Sequence, residues 1–152
     1  MTTRRKRQLD GRNNVIKALK RQLQANGLFD GMRIATDMEG PKLSAVLLEF
    51  IEPYKKDAPT REAYEKLVTV AVISWNAALQ DGTEQTKYIQ TMVDAIVDMA
   101  GEEWRKDSED IIEMMVKRKE RYFADDKRYI VDYRLTETSE EYRLAVAGFV
   151  RS

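Results

Sequence analysis

Between Leu67 and Leu79 the chain reads LVTVAVISWNAAL, a run in which only Thr69, Ser74 and Asn76 are polar. A helix that is apolar nearly all round belongs in a protein core or a membrane. The run is too short for a bilayer, which takes about 20 residues, and too long for an ordinary strand of about 5 to 6. The segment is therefore expected to be a buried central helix with the other elements laid around it. At 100° per residue its polar positions, Glu62, Thr69, Asn76 and Gln80, fall in one narrow stripe interrupted by Ile73.

With 152 residues the chain fits one domain able to bury a core without covalent staples. Its 43% hydrophobic and 34% charged residues suit a globular helical protein. There is no cysteine and no histidine, which removes disulfides, thiolate catalysis, Cys-ligated zinc and the usual general base. No apolar segment follows the Arg4-Arg5-Lys6-Arg7 cluster, so it does not read as a secretory signal, and a cytoplasmic location is expected. The zero net charge hides an asymmetry. Residues 1 to 21 hold eight basic residues (Arg4, Arg5, Lys6, Arg7, Arg12, Lys17, Lys20 and Arg21) against Asp10 alone, which is +7 and leaves −7 elsewhere.

The chain reads as a flexible basic arm over residues 1 to 12, then a single domain over 13 to 152. Asn13 or Asn14 can cap a first helix carrying Val15, Ile16, Leu19 and Leu23, stopped by Asn26-Gly27. Leu28-Phe29 tucks under that turn, and Asp30 to Gly40 reads as a loop. Gly40-Pro41 opens a second helix with Leu43, Val46, Leu47, Phe50 and Tyr54 on its apolar side, and Pro53 ends or kinks it. Thr60 is the expected N-cap of the central helix, which Asp81-Gly82 breaks. Thr83 is expected to cap a fourth helix with Tyr88, Ile89, Met92, Val93, Ile96, Val97 and Ala100 on one face. The short connection makes it an antiparallel neighbour of the central helix. Trp104 is expected to pack, and Ser108 to cap a last helix whose apolar side is Ile111, Ile112, Met115, Tyr122 and Phe123.

After Asp126 the period changes to two. Tyr129, Val131, Tyr133 and Leu135 alternate with Ile130, Asp132, Arg134 and Thr136. Tyr142 to Val150 is the nearest partner strand, so a β-hairpin over about 128 to 150 is expected. A rival helical reading rests on the capping-box pattern Thr138-x-x-Glu141 with Tyr142, Ala145, Val146 and Phe149 on one face. The fold class is mainly α, a bundle of about five helices with a C-terminal hairpin (α+β).

No P-loop, nucleophile elbow or dinucleotide fingerprint is present. Glu49-x-x-Glu52, Glu62-x-x-Glu65 and Asp94-x-x-x-Asp98 have the spacing that puts two carboxylates on one helix face, as Mg²⁺-dependent hydrolases require. Charged residues are common enough here that chance spacing explains them, and no metal or other cofactor is expected. The basic residues Arg4, Arg5, Lys6, Arg7, Arg12, Lys17, Lys20 and Arg21 can follow a phosphate backbone, although no aromatic interleaving or helix-turn-helix accompanies them. Trp75-Asn76 is the most unusual pair. A buried unpaired amide costs about 1 to 3 kcal/mol, so Asn76 bonds a neighbouring backbone, lies at an exposed polar stripe, or forms a polar pocket beside the indole. Met92, Met99, Met114 and Met115 read as flexible core filler.

Three stretches, PKLSAVLLEF (41–50), VISWN (72–76) and DDKRYIVDY (125–133), occur in this order. With them the chain resembles an uncharacterised bacterial helical family sometimes found beside SEC-C zinc-binding motifs. The resemblance covers residues 41 to 150 and implies the terminal hairpin. Zinc binding does not carry over to a chain without Cys or His, and the resemblance implies no activity. The reading is a non-enzymatic protein-interaction module that self-associates, as a dimer whose free hairpin edges meet in a four-stranded sheet. The alternatives are nucleic-acid binding through the arm and a carboxylate-dependent hydrolase.

Overall fold

The computed structural model describes Arg21, residues 32–34, 41–137 and 142–151. Four α-helices are found among them: α1 Leu43–Ile51, α2 Arg61–Ala78, α3 Gly82–Ala100 and α4 Arg105–Tyr122. Three strands, β1 Met32–Ile34, β2 Tyr129–Glu137 and β3 Tyr142–Arg151, form an antiparallel sheet in the order β1-β3-β2. The α+β class and the terminal hairpin stand as expected, with four described helices rather than five. The expected arm and first helix lie outside the described residues, apart from helical, exposed Arg21.

α2 is the central rod. Thr60 caps it, its Oγ1 accepting from the Ala63 N–H at 3.1 Å, an interaction whose loss typically costs about 1 kcal/mol. From Ala71 to Ala77 every residue is buried. Its last carbonyls are taken by side chains: Gln80 Nε2 donates to Asn76 O, Gln85 Nε2 to Ala77 O, and the Tyr129 hydroxyl to Leu79 O. Gly82 then turns the chain at φ +52°, a conformation that favours glycine. α1 lays Leu47, Phe50 and Ile51 against the rod, α3 adds Met92 and Val93, and α4 adds Ile112 and Met115. Phe50, Trp75 and Phe123 meet in a ring cluster with centroids 5.5 to 5.9 Å apart, an arrangement that adds about 0.5 to 1.5 kcal/mol per pair beyond burial.

Several local expectations are corrected. Residues 32–34 of the expected Asp30–Gly40 loop are a strand, paired Met32 with Arg151, Arg33 with Val150 and Ile34 with Phe149. Three residues are too few to show alternation, and the edge of β3 supplies their hydrogen bonds. α1 begins after Lys42 rather than at Pro41. Neither Thr83 nor Ser108 caps its helix, because α3 starts from Asp81 and α4 runs straight on from a single 3₁₀ turn, Glu102–Trp104. Ser108 is buried within α4. Trp104 does not enter the core; it is 44% exposed, with Lys66 Nζ 5.5 Å from its ring centroid. Tyr122, expected on the apolar side of α4, also faces outward, because the core side of that helix is spent on Ile112, Met115, Val116 and Lys119.

Candidate functional site: the seam between α2 and β2

From Thr69 onward the narrow polar stripe does not meet solvent, although Glu62 at its start does. Thr69, Asn76 and Gln80 are buried, and Thr69 and Asn76 face β2. β2 has β3 on one side only. On its other side the Asn76 amide stands in for a strand. Its Oδ1 accepts from the Ile130 N–H at 2.8 Å while its Nδ2 donates to Ile130 O at 2.9 Å. One side chain thus satisfies both backbone groups of a fully buried residue, in a place that neither water nor another strand reaches.

Asn76 sits beside a bulge. The register runs Ile130 with Gly148, then Asp132 with Ala147, so the ladder shifts across Val131. A bulge bends a strand and increases its twist, and here the bend accompanies the point where β2 lies on α2. Two residues on, the Tyr133 N–H is taken by Asp132 Oδ1 at 2.9 Å. The Tyr133 hydroxyl lies 2.7 Å from Thr69 Oγ1. Since Thr69 already donates its proton to Glu65 O at 2.9 Å, Tyr133 is the donor of that pair. Burial pushes the Tyr133 phenol up to about 12.

The other half of the seam is the approach to β2. The Trp75 indole N–H donates to Arg128 O at 2.6 Å. Arg128, 3% exposed, is itself held by the Asp126 carboxylate through its guanidinium, and its N–H donates to Asp126 Oδ1. Lys119, 2% exposed, reaches from α4 into the same turn. Its ammonium donates to Phe123 O at 2.6 Å and Asp126 O at 2.8 Å, and stands 4.3 Å from the centre of a Trp75 ring. Two carbonyls and a π face therefore replace its water shell. Burial still lowers its pKa to about 8, against the opposing pull of Asp126. Tyr88 on α3 completes the surroundings. Its hydroxyl is close enough to the Asn76 amide to be affected by it, yet no described atom is positioned to complete a hydrogen bond. Burial raises its pKa.

The three stretches noted in the sequence converge here: Phe50 from the first, Trp75 and Asn76 from the second, and Arg128, Ile130 and Tyr133 from the third. Compared with protein-family models, curated proteins and solved structures, the chain matches none. The arrangement must therefore be judged on its own chemistry. Trp75 and Asn76 do not line a pocket with free valences; both spend their polar atoms on backbone. The pair was visible in the sequence, whereas Lys119 was hidden within a basic run that reads as a solvated helix end. The Thr69–Asn76 spacing of seven was the signal for the seam, since it puts both residues on the side of α2 that β2 covers.

The other candidates lie elsewhere. Arg4, Arg5, Lys6, Arg7, Arg12, Lys17 and Lys20 fall outside the described residues, and Arg21 is exposed. The carboxylate pairs are on surfaces and mostly bonded to cations: Glu62 to Lys66, Glu65 to Arg61, and Asp94 to Arg105. Among the described residues no three Asp or Glu side chains are grouped to hold a metal ion, and no helix is long and apolar enough to cross a membrane.

Proposed function

We propose that this chain is a non-enzymatic protein-interaction module that associates with copies of itself. The observation that carries the reading is the outer face of α4. Met114 and Tyr122 stand 51% and 61% exposed there, while the polar side chains of the seam are spent on the fold. Methionine and tyrosine are enriched at the centres of interfaces, because they supply adaptable and rigid contact area respectively. The seam supports the same reading by contrast. Catalysis needs a polar group free to change partners in the transition state, and Asn76, Trp75, Arg128 and Lys119 are held by fixed backbone or carboxylate partners.

Strand addition at β2 is a weaker route to self-association than the sequence suggested. A second copy entering at that edge would have to displace Asn76 from Ile130 and Asp132 from the Tyr133 N–H. Side chains used in this way protect an edge from pairing. The helical surface is the better candidate. Sedimentation velocity over a wide range of concentration tests the proposal, the expected result being a mass that rises from monomer toward dimer. A monomer throughout overturns it.

A further inference from the structure

We propose that the self-association, which rests on the reading above, joins α4 to α4 of a second copy in antiparallel register. At 100° per residue, Asp110, Arg121, Met114, Arg118, Ile111 and Tyr122 fall in that order within an arc of about 120°, its Asp110 side turned away from the core and its Ile111–Tyr122 side bordering Met115, with Ile111 half-buried against the core. The charge along the helix is divided. Every ionised residue from Asp107 to Glu113 is acidic, and of the four residues from Lys117 to Arg121 that lie outside the buried side of the helix, Lys117, Arg118 and Arg121 are basic against Glu120. Such a helix repels a parallel copy at both ends and attracts an antiparallel one at both ends. It is complementary to itself.

The register follows from placing the two-fold axis near Met115 and Val116. Met114 then stands beside the axis, Asp110 meets the partner's Arg121, and Ile111 meets the partner's Tyr122. The surface is ready for this. Arg121 and Arg118 each lie over the Tyr122 ring, with centroid distances of 5.3 and 5.5 Å, and Arg118 is anchored to Phe50 O and Glu49 O. The ring is thereby held outward in one place, which lowers the entropic cost of using it. Among the described residues Asp110 is engaged only by Lys106, at 3.8 Å on an exposed surface, and a contact of that kind exchanges easily. An isologous contact of this type closes at two copies and does not propagate into filaments. A single pair of helices buries less than the roughly 1,600 Å² of a standard interface, so the dimer is a weak one that salt loosens further.

A charge-swap series read by sedimentation velocity tests the interface. Asp110→Arg and Arg121→Asp each set like charges against each other twice, and each is expected to raise the dimer dissociation constant at least about ten-fold. Mixing the two single variants is expected to give a heterodimer, because both pairs are then opposite in sign. The double variant is expected to recover the homodimer. Both positions are exposed, and an unchanged helical circular-dichroism spectrum confirms that the variants fold. If wild type dimerises and the single variants dimerise equally well, self-association stands and this interface is overturned. If wild type never dimerises, both fall.

Discussion

The α2–β2 seam and the outer face of α4 use polar groups in opposite ways. In the seam the bonds that join helix to hairpin run to backbone far away in sequence: Asn76 with Ile130, Trp75 with Arg128, Tyr129 with Leu79. On the outer face of α4 the ion pairs are one turn apart, Lys117 to Glu113 and Lys106 to Asp110, while Arg118 reaches a distant backbone, at Phe50 O and Glu49 O. Long-range bonds in a dry place fix which residue of the hairpin meets which turn of the helix. Exposed pairs one turn apart add a few tenths of a kcal/mol and fix nothing. The fold's specificity lies in the seam, and the surface of α4 is free to serve something else.

The contrast is tested most severely at Asn76. Asn76→Ala strands both the N–H and the C=O of buried Ile130, each costing about 1 to 3 kcal/mol. Urea denaturation is expected to show a loss of about 3 kcal/mol or more. A loss under about 1 kcal/mol would mean that the seam tolerates unpaired groups, and the contrast with α4 would disappear.

Lys119 sharpens the comparison through pH. Its pKa in the folded chain, about 8, lies below the ordinary 10.5, so the unfolded chain binds the proton more tightly between those values. Stability from this group is therefore fully present above 10.5 and is lost as pH falls through 8, with a slope of at most about 1.4 kcal/mol per pH unit. Lys119→Met leaves Asp126 O without its donor and Phe123 O with the Asp126 N–H alone, and the expected cost is about 2 kcal/mol at alkaline pH. The gap between wild type and variant should widen from pH 8 to 10, and a gap independent of pH would place the ammonium in water. Tyr133 works in the other direction. With its phenol raised to about 12, its stabilisation is whole below pH 10 and is lost as pH rises toward 12, which confines the useful window to pH 8–10.

The legible and illegible parts of the sequence divide along the same line. The apolar run from Leu67 to Leu79 announced a buried helix because hydrophobic burial has no direction and depends on composition and period alone. The alternation from Tyr129 to Leu135 announced a strand for the same reason. What Asn76 does was not legible, since the same amide serves a pocket, a surface stripe or a backbone partner equally well until β2 is in place. Lys119 was not legible either. Within Lys117-Arg118-Lys119 only the helical phase distinguishes the inward residue, and a lysine facing inward becomes plausible only when two carbonyls and the Trp75 ring are waiting for it. Met32–Ile34 was missed because a short edge strand takes its stability from its neighbour.

Tyr133→Phe removes a bond whose acceptor stays partly satisfied, because Thr69 keeps its own donation to Glu65 O. The expected loss is about 1 kcal/mol, the ordinary net value of one hydrogen bond, measured by the shift in denaturation midpoint. Because no charge is involved, that loss should not change with salt, whereas a salt-dependent loss would point to a coupling with Glu65 or Asp132.

The smallest effect is expected at Tyr88, and it is the most discriminating about the rule itself. Tyr88 is 5% exposed, and its buried hydroxyl has no hydrogen-bond partner among the described atoms. If the interior is governed by the satisfaction of polar atoms, the hydroxyl is a burden, and Tyr88→Phe should leave stability unchanged or raise it by up to about 1 kcal/mol. The ring keeps its packing in the variant, so nothing else is lost. A destabilisation of about 1 kcal/mol or more would show that the hydroxyl does have a partner. An ordered water bridging it to the Asn76 amide is the simplest such partner, and Tyr88 would then belong to the seam as its fifth polar anchor on the α3 side.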